Sequence, residues 1–172
     1  MEELKSETEQ RERESRVYNI QFDNSHFGDF EIPIGTSELV GELNEWWDKI
    51  CIESGINPND KKIYKIGYHV IELGKNALEH AGGGTIKVNF ERGEVTVIVT
   101  DQGQGFENPN DDILYGAPGH GLSEVKRYAD EFIIETRGKK FVKVPKKRNL
   151  AISEETDIQQ GSKITFVKKK AI

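Results

Sequence analysis

Thr85-Ile86-Lys87-Val88-Asn89-Phe90-Glu91-Arg92-Gly93-Glu94-Val95-Thr96-Val97-Ile98-Val99-Thr100-Asp101 is the stretch that decides the fold. Ile86, Val88 and Phe90 alternate with polar residues. Val95, Val97 and Val99 alternate with Thr96, Ile98 and Thr100. Successive side chains of a strand point to opposite faces, so each run offers one apolar face to a core. Arg92-Gly93 between the runs predicts a tight turn. The stretch reads as an antiparallel hairpin.

Toward the N-terminus, Ile63, Ile66, Val70, Leu73, Ala77 and Ala81 recur at helical spacing and predict a helix over 60–81. The run Gly82-Gly83-Gly84 stops it. An earlier helix starts near Thr36 or Ser37, either of which can cap it, with Glu38 in its first turn. Leu39, Leu43, Trp46 and Ile50, joined by Val40, Trp47 and Cys51, give it a broad apolar face, and Gly55 and Pro58 end it. Helical phase puts at least one of Trp46 and Trp47 in the core, and the pair leaves a homodimer open. Val17–Phe22 and Phe27–Ile34 read as strands, the second ended by Pro33 and Gly35.

Beyond Gly105, residues 107–119 are turn-rich. Leu122, Val125 and Ala129 mark a further helix. Residues 131–136 and 141–144 predict a hairpin around Gly138, residues 145–160 a polar excursion, and residues 163–168 a last strand. The expected fold is therefore α/β, of the α+β kind. It is a two-layer sandwich with a mixed, mostly antiparallel sheet and helices on one face. The order is not the βαβ alternation of a dinucleotide-binding domain.

The 172 residues suffice for one sizeable core. Residues 1–16 are a polar extension, expected to be a solvated helix or disordered. Residues 17–172 form the single domain. The net charge of −6 argues against a non-specific hold on nucleic acid or an anionic membrane. Cys51 is the one cysteine, which excludes an internal disulfide. No apolar run approaches the roughly 20 residues that span a bilayer, and the charged start lacks a signal peptide's apolar core. A cytoplasmic protein is expected.

Three elements carry chemistry. Glu72 and Asn76 lie on one face of the second helix, offset from its apolar stripe, with His69 and His80 near them. An amide oxygen is a hard neutral ligand suited to Mg²⁺. A carboxylate one turn earlier can orient or deprotonate a hydroxyl. Taken alone, this pair reads more readily as the wet face of an amphipathic helix, since Glu and Asn at this spacing are common. Asp101 ends an apolar strand and precedes Gly103 and Gly105, whose backbone can approach a flat ligand. Its carboxylate can accept a hydrogen bond from an exocyclic amine such as that of adenine. An ordinary glycine-rich turn is the alternative. Calcium is another: Asp101, Glu107, Asn108, Asn110, Asp111 and Asp112 supply oxygens, though without the spacing of an EF-hand loop. Gly119 and Gly121 precede the third helix, whose free N–H groups suit phosphates. Neither the P-loop pattern nor the dinucleotide fingerprint is present.

Together these boxes resemble the gyrase/Hsp90/histidine-kinase/MutL superfamily of ATP-binding domains, and most closely its anti-sigma-factor and serine-protein-kinase branch. The first box is Glu72-Leu73-Gly74-Lys75-Asn76-Ala77-Leu78-Glu79-His80, the second Asp101-Gln102-Gly103-Gln104-Gly105, and the third Gly119-His120-Gly121-Leu122. Gly161-Ser162 stands at the late glycine–threonine position. The resemblance covers about residues 34–167. It implies a Bergerat-type ATP-binding fold that takes ATP and Mg²⁺. It also implies that Asn76 ligates the metal, Glu72 is the general base and Asp101 reads adenine. Gly103, Gly105, Gly119, His120, Gly121, Leu122 and Ser162 complete the nucleotide contacts. Residues 139–160 depart from the small kinases as a basic insertion, with Lys139, Lys140, Lys143, Lys146, Lys147 and Arg148.

The expected function is an ATP/Mg-binding regulator. It is a serine/threonine protein kinase or anti-sigma factor acting on a protein partner, such as a sigma factor or an anti-sigma factor antagonist. Two alternatives stand beside it. One is a nucleotide-gated binding module without kinase activity. The other is the isolated catalytic domain of a sensor histidine kinase, a weaker reading because His26 is not set in a long helix.

Overall fold

The computed structural model describes residues 15–31, 33–111 and 121–172. The hairpin is present as strands β2 (Gly83–Glu91) and β3 (Glu94–Asp101), with Ile86 opposite Val99, Val88 opposite Val97 and Phe90 opposite Val95. Arg92 and Gly93 both have positive φ, 50° and 79°. That twist matches the strands of a two-residue hairpin. All six of the paired inward residues are buried.

Strand β1 (Arg16–Asp23) pairs with β2 on one side. Beyond β3 come β7 (Ser162–Lys168), β4 (Glu131–Thr136), β5 (Lys139–Val142) and β6 (Ala151–Glu155), in the order β1-β2-β3-β7-β4-β5-β6. Every pairing is antiparallel. The expected mixed sheet is thus corrected. The helical crossover leaves β3 and β4 parallel to each other, but β7 enters between them and runs against both.

Helices α1 (Thr36–Glu53), α2 (Lys61–Ala81) and α3 (Gly121–Tyr128) complete the described elements of eight residues or more. Asp60 caps α2 by accepting from the N–H groups of Lys62 and Ile63 at 2.9 and 3.3 Å. Gly82 ends it in the left-handed region, while Gly83 and Gly84 already belong to β2. At α1 the expectation fails in detail. Gly35 is the cap residue and no side chain caps the helix, so neither Thr36 nor Ser37 has that role.

Leu39, Leu43, Trp47, Ile50 and Cys51 of α1 are buried, and Trp46 is only partly so. The two helices approach closely where α2 lacks side chains. A Cβ on Gly67 would lie 2.5 Å from the Trp47 ring nitrogen, and one on Gly74 2.6 Å from a Leu43 methyl. The buried sheet residues Phe132, Ile134, Phe141, Ile164 and Phe166 continue the same core. Lys87 on the opposite face is exposed, and Ile98, Ile133 and Thr165 are half-buried there.

Two further expectations are revised. Among the described residues of 27–34, none belongs to a strand. Phe27 makes only single bridges to Phe22 and Phe30, in a turn where Asp23 accepts from the N–H groups of Ser25 and His26. The polar excursion contains a strand, β6, whose five residues are all exposed and which pairs with β5. Two of the expected basic residues are engaged internally: Lys140 pairs with Glu154 at 2.7 Å, and Lys143 donates to the Ala129 carbonyl.

Candidate functional site

Glu72 and Asn76 stand half-buried on α2. Gly121, the first residue of α3, abuts both. A Cβ there would lie 3.6 Å from Glu72 Oε2 and 3.8 Å from Asn76 Nδ2. The N-terminus of α3 therefore faces the polar side of α2. Glu72 also forms an ion pair, Oε1 to Lys75 Nζ at 3.2 Å.

The second box packs on the other end of α2. A Cβ on Gly103 would lie 2.7 Å from Ala81 Cβ. Asp101 closes β3 opposite Ser162 in the register. One carboxylate oxygen accepts from the Gly103 N–H at 2.9 Å, and the other accepts from the buried Ser162 hydroxyl. Glu72, Asn76 and Gly121 thus meet between α2 and α3, while Asp101, Gly103 and Ser162 meet beside the C-terminal end of α2, where β3 ends and β7 begins. Leu122 is half-buried against the core, a packing position. Gly119 and His120 lie outside the described residues, as does Asp112 of the calcium alternative. His80 is exposed.

Thr136 is a part of this region that sequence reading missed. Its buried hydroxyl donates to the Gly161 carbonyl at 3.0 Å and accepts from the Phe106 N–H at 3.0 Å. Gly105 fits beneath it, since a Cβ would approach the Thr136 hydroxyl to 2.3 Å. Gln160 and Arg137 donate to the carbonyls of Gln102 and Gln104. The loop after Asp101 is therefore stitched to the start of β7 and the end of β4. Thr136→Val keeps the shape but leaves a buried N–H and a buried carbonyl unpaired. Stability should fall by about 2 kcal/mol, measured by urea unfolding.

Calcium finds less support. Asn110 exchanges hydrogen bonds with the backbone of Leu150, and Asn108 donates to Asp111. Among the described residues, no group of three or more His, Cys, Asp and Glu side chains is arranged to hold a metal. That does not weigh against Mg²⁺, which takes one or two protein oxygens and completes its shell with water and phosphate. The Asn76 amide, beside a helix N-terminus, fits that demand. No helix of the described residues is long and apolar enough to cross a membrane.

His69, one turn before Glu72, is not on the wet face as its position suggested. It is 1% exposed and packs against Tyr68, Tyr128 and Phe166. Burial, then Lys65, lowers its pKa to about 4, against smaller pulls from Glu124 and Glu72. Protonation is favoured in the unfolded chain, so the stability gained from neutral His69 is complete above about pH 6.5 and is lost as pH falls toward 4. The loss should reach about 3 kcal/mol and should be absent in His69→Phe, measured by unfolding across that window.

A cavity of about 380 Å³ lies beside His69, lined by Lys65, His69, Glu124, Arg127, Tyr128 and Lys168. None of the residues singled out from the three boxes lines it. Compared with known proteins, the chain matches no family model and no curated protein. The functional reading therefore rests on two groups, Glu72, Asn76 and Gly121 between α2 and α3, and Asp101, Gly103 and Ser162 at the end of β3.

Proposed function

We propose that this chain binds ATP with Mg²⁺ between α2, α3 and the end of β3, and that it is a protein serine/threonine kinase or anti-sigma factor acting on a small signalling protein. The observation that carries the reading is the approach of Gly121 to Glu72 and Asn76. Residues 45 and more positions apart in sequence meet where a phosphate chain needs an amide ligand and helix N–H groups. Asp101, fixed by two hydrogen bonds, supplies an acceptor for adenine at the other end.

In this reading the adenine lies at Asp101 and the phosphates lie at Asn76 and Gly121. Mg²⁺ held by Asn76 would supply charge neutralisation at the phosphates while the bond to the leaving ADP breaks. Glu72 takes the proton of the attacking serine or threonine hydroxyl as its oxygen bonds to phosphorus. The Lys75–Glu72 ion pair favours a second reading, in which nucleotide gates binding of a partner and no phosphoryl group is transferred. Exposed Lys139, Lys146, Lys147 and Arg148 offer such a partner an acidic-surface contact.

Titration calorimetry of ATP with and without Mg²⁺, beside Asn76→Ala, tests the site. Saturable binding that Mg²⁺ strengthens and Asn76→Ala weakens is expected. Binding indifferent to both would sink the reading. Glu72→Gln then separates the two functions. It should abolish phosphoryl transfer with nucleotide affinity retained if the chain is a kinase.

A further inference from the structure

The cavity beside His69 has a composition that calls for an occupant. Lys65 and Lys168 both set their ammonium groups over the Tyr128 ring, 4.9 and 4.6 Å from its centroid. Arg127 lines the same space, and among the described residues Glu124 is the only acid that does. Lys168 is partly committed, donating to the Tyr128 carbonyl at 3.0 Å and meeting Asp130 at 3.5 Å. Among the described residues, neither Lys65 nor Arg127 has an ion-pair partner. In a chain of net charge −6, three cations are gathered around one small volume. Glu124 and Asp130 offset part of that charge, and the remaining positive potential favours an anion in the cavity.

His69 adds an independent observation. It lines the cavity, it is 1% exposed, and among the described residues neither ring nitrogen has a hydrogen-bond partner. Two unpaired polar atoms at that depth are costly, and most buried polar groups are paired. A neutral imidazole needs one acceptor and one donor. A carboxylate is acceptor-only near neutral pH. A phosphate group whose second proton leaves near pH ~6 is then mostly acceptor-only as well, but it gathers up to two charges and three acceptor oxygens at one point, where a carboxylate carries one charge and two oxygens. The volume lies within the range, roughly 300–1,000 Å³, of small-molecule pockets.

We propose that this cavity is a binding site for a small phosphate-bearing ligand, held by Lys65, Arg127 and Lys168, with His69 at its floor and the Tyr128 ring at its side. The site joins α2, α3 and β7, and neither Asp101 nor Asn76 lines it, so its ligand is independent of the nucleotide.

The experiment is an NMR titration that follows the His69 ring resonances at fixed pH and ionic strength. Inorganic phosphate, glucose 6-phosphate and citrate are the probes. Both phosphate probes should shift the His69 signals saturably, and citrate, whose charges are spread over three separate carboxylates, should bind about tenfold more weakly. Tighter binding of glucose 6-phosphate identifies a phosphomonoester site, and tighter binding of inorganic phosphate a site for the free ion. Lys65→Gln and Arg127→Gln, at exposed positions that should leave the fold intact by circular dichroism, should each weaken binding about tenfold. Asn76→Ala should leave it unchanged. Shifts that fail to saturate, that persist undiminished in both charge variants, or that disappear with Asn76→Ala would overturn the proposal.

Discussion

Gly161→Ala should destabilise the domain by about 4 kcal/mol, while Gly41→Ala should stabilise it by about 0.5 kcal/mol. The same methyl group has opposite effects because the two backbones differ. Gly161 has φ +71°, and a Cβ there would lie 2.0 Å from the carbonyl oxygen of Asp101 and 2.9 Å from Gln102 Cα. Both neighbours are main chain, so no rotamer change relieves the clash. Left-handed backbone adds roughly 1–2 kcal/mol for any residue with a Cβ, and forced displacement of packed groups adds about 1–3 kcal/mol. Gly41 lies within α1, where a Cβ would meet nothing within 4 Å, and there alanine restricts only the unfolded chain. Urea unfolding of the two variants checks the pair. A Gly161→Ala protein within about 1 kcal/mol of the parent would mean that the Asp101–Gly161 crossing is looser than its geometry requires. Since small domains are stable by only about 5–15 kcal/mol, the substitution should also remove the structured end of β3 and β7 on which the candidate site stands.

The contrast between those glycines shows what a sequence does and does not carry. Local rules were enough for the hairpin 83–101, because alternation and a two-residue turn act within the segment itself. They were enough for α2, whose apolar spacing, Asp60 cap and Gly82 stop are all local. They failed at β6, where Ala151-Ile152-Ser153-Glu154-Glu155 is exposed throughout and shows no buried face to alternate toward. That strand exists because β5 offers it an edge, with a register shift between Lys140 and Phe141. They failed again at Phe27–Phe30, where apolar residues suggested a strand and the Asp23 side chain holds a turn.

The candidate site divides in the same way. Glu72 and Asn76 share a face by helix geometry alone, and Asp101 ends a strand by pattern alone, so both were legible. Their meeting with Gly121 depends on how α3 packs on α2. Thr136 was invisible because its partners, Phe106 and Gly161, lie 30 and 25 residues away. His69 reads as polar beside Glu72, yet a ring at that point on α2 lies against Phe166 of β7. Only the fold tells which edge of an amphipathic stripe is covered.

Asp101→Asn should raise the Kd for ATP about a hundredfold while costing only about 1 kcal/mol of stability. Asp101 has a structural task that does not need its charge. Its oxygens receive the Gly103 N–H and the Ser162 hydroxyl. An asparagine can keep its carbonyl oxygen toward Gly103 and turn its amide toward Ser162, whose hydroxyl can accept as well as donate. The turn therefore survives. On the proposed reading, recognition of an exocyclic amine should not survive, because part of the acceptor becomes a donor and the amine, already a donor, loses its partner. Ser162→Ala supplies the comparison. It removes one of the two hydrogen bonds to Asp101 but leaves the carboxylate, so affinity should fall less than in Asp101→Asn even if stability falls by a similar amount. Calorimetry with ATP and urea unfolding, run on both variants, separate the two tasks. Equal ATP affinity in Asp101→Asn and the parent would reduce Asp101 to a turn-forming residue. A large loss of affinity at small cost in stability would mean that the carboxylate is held in place in order to meet the base.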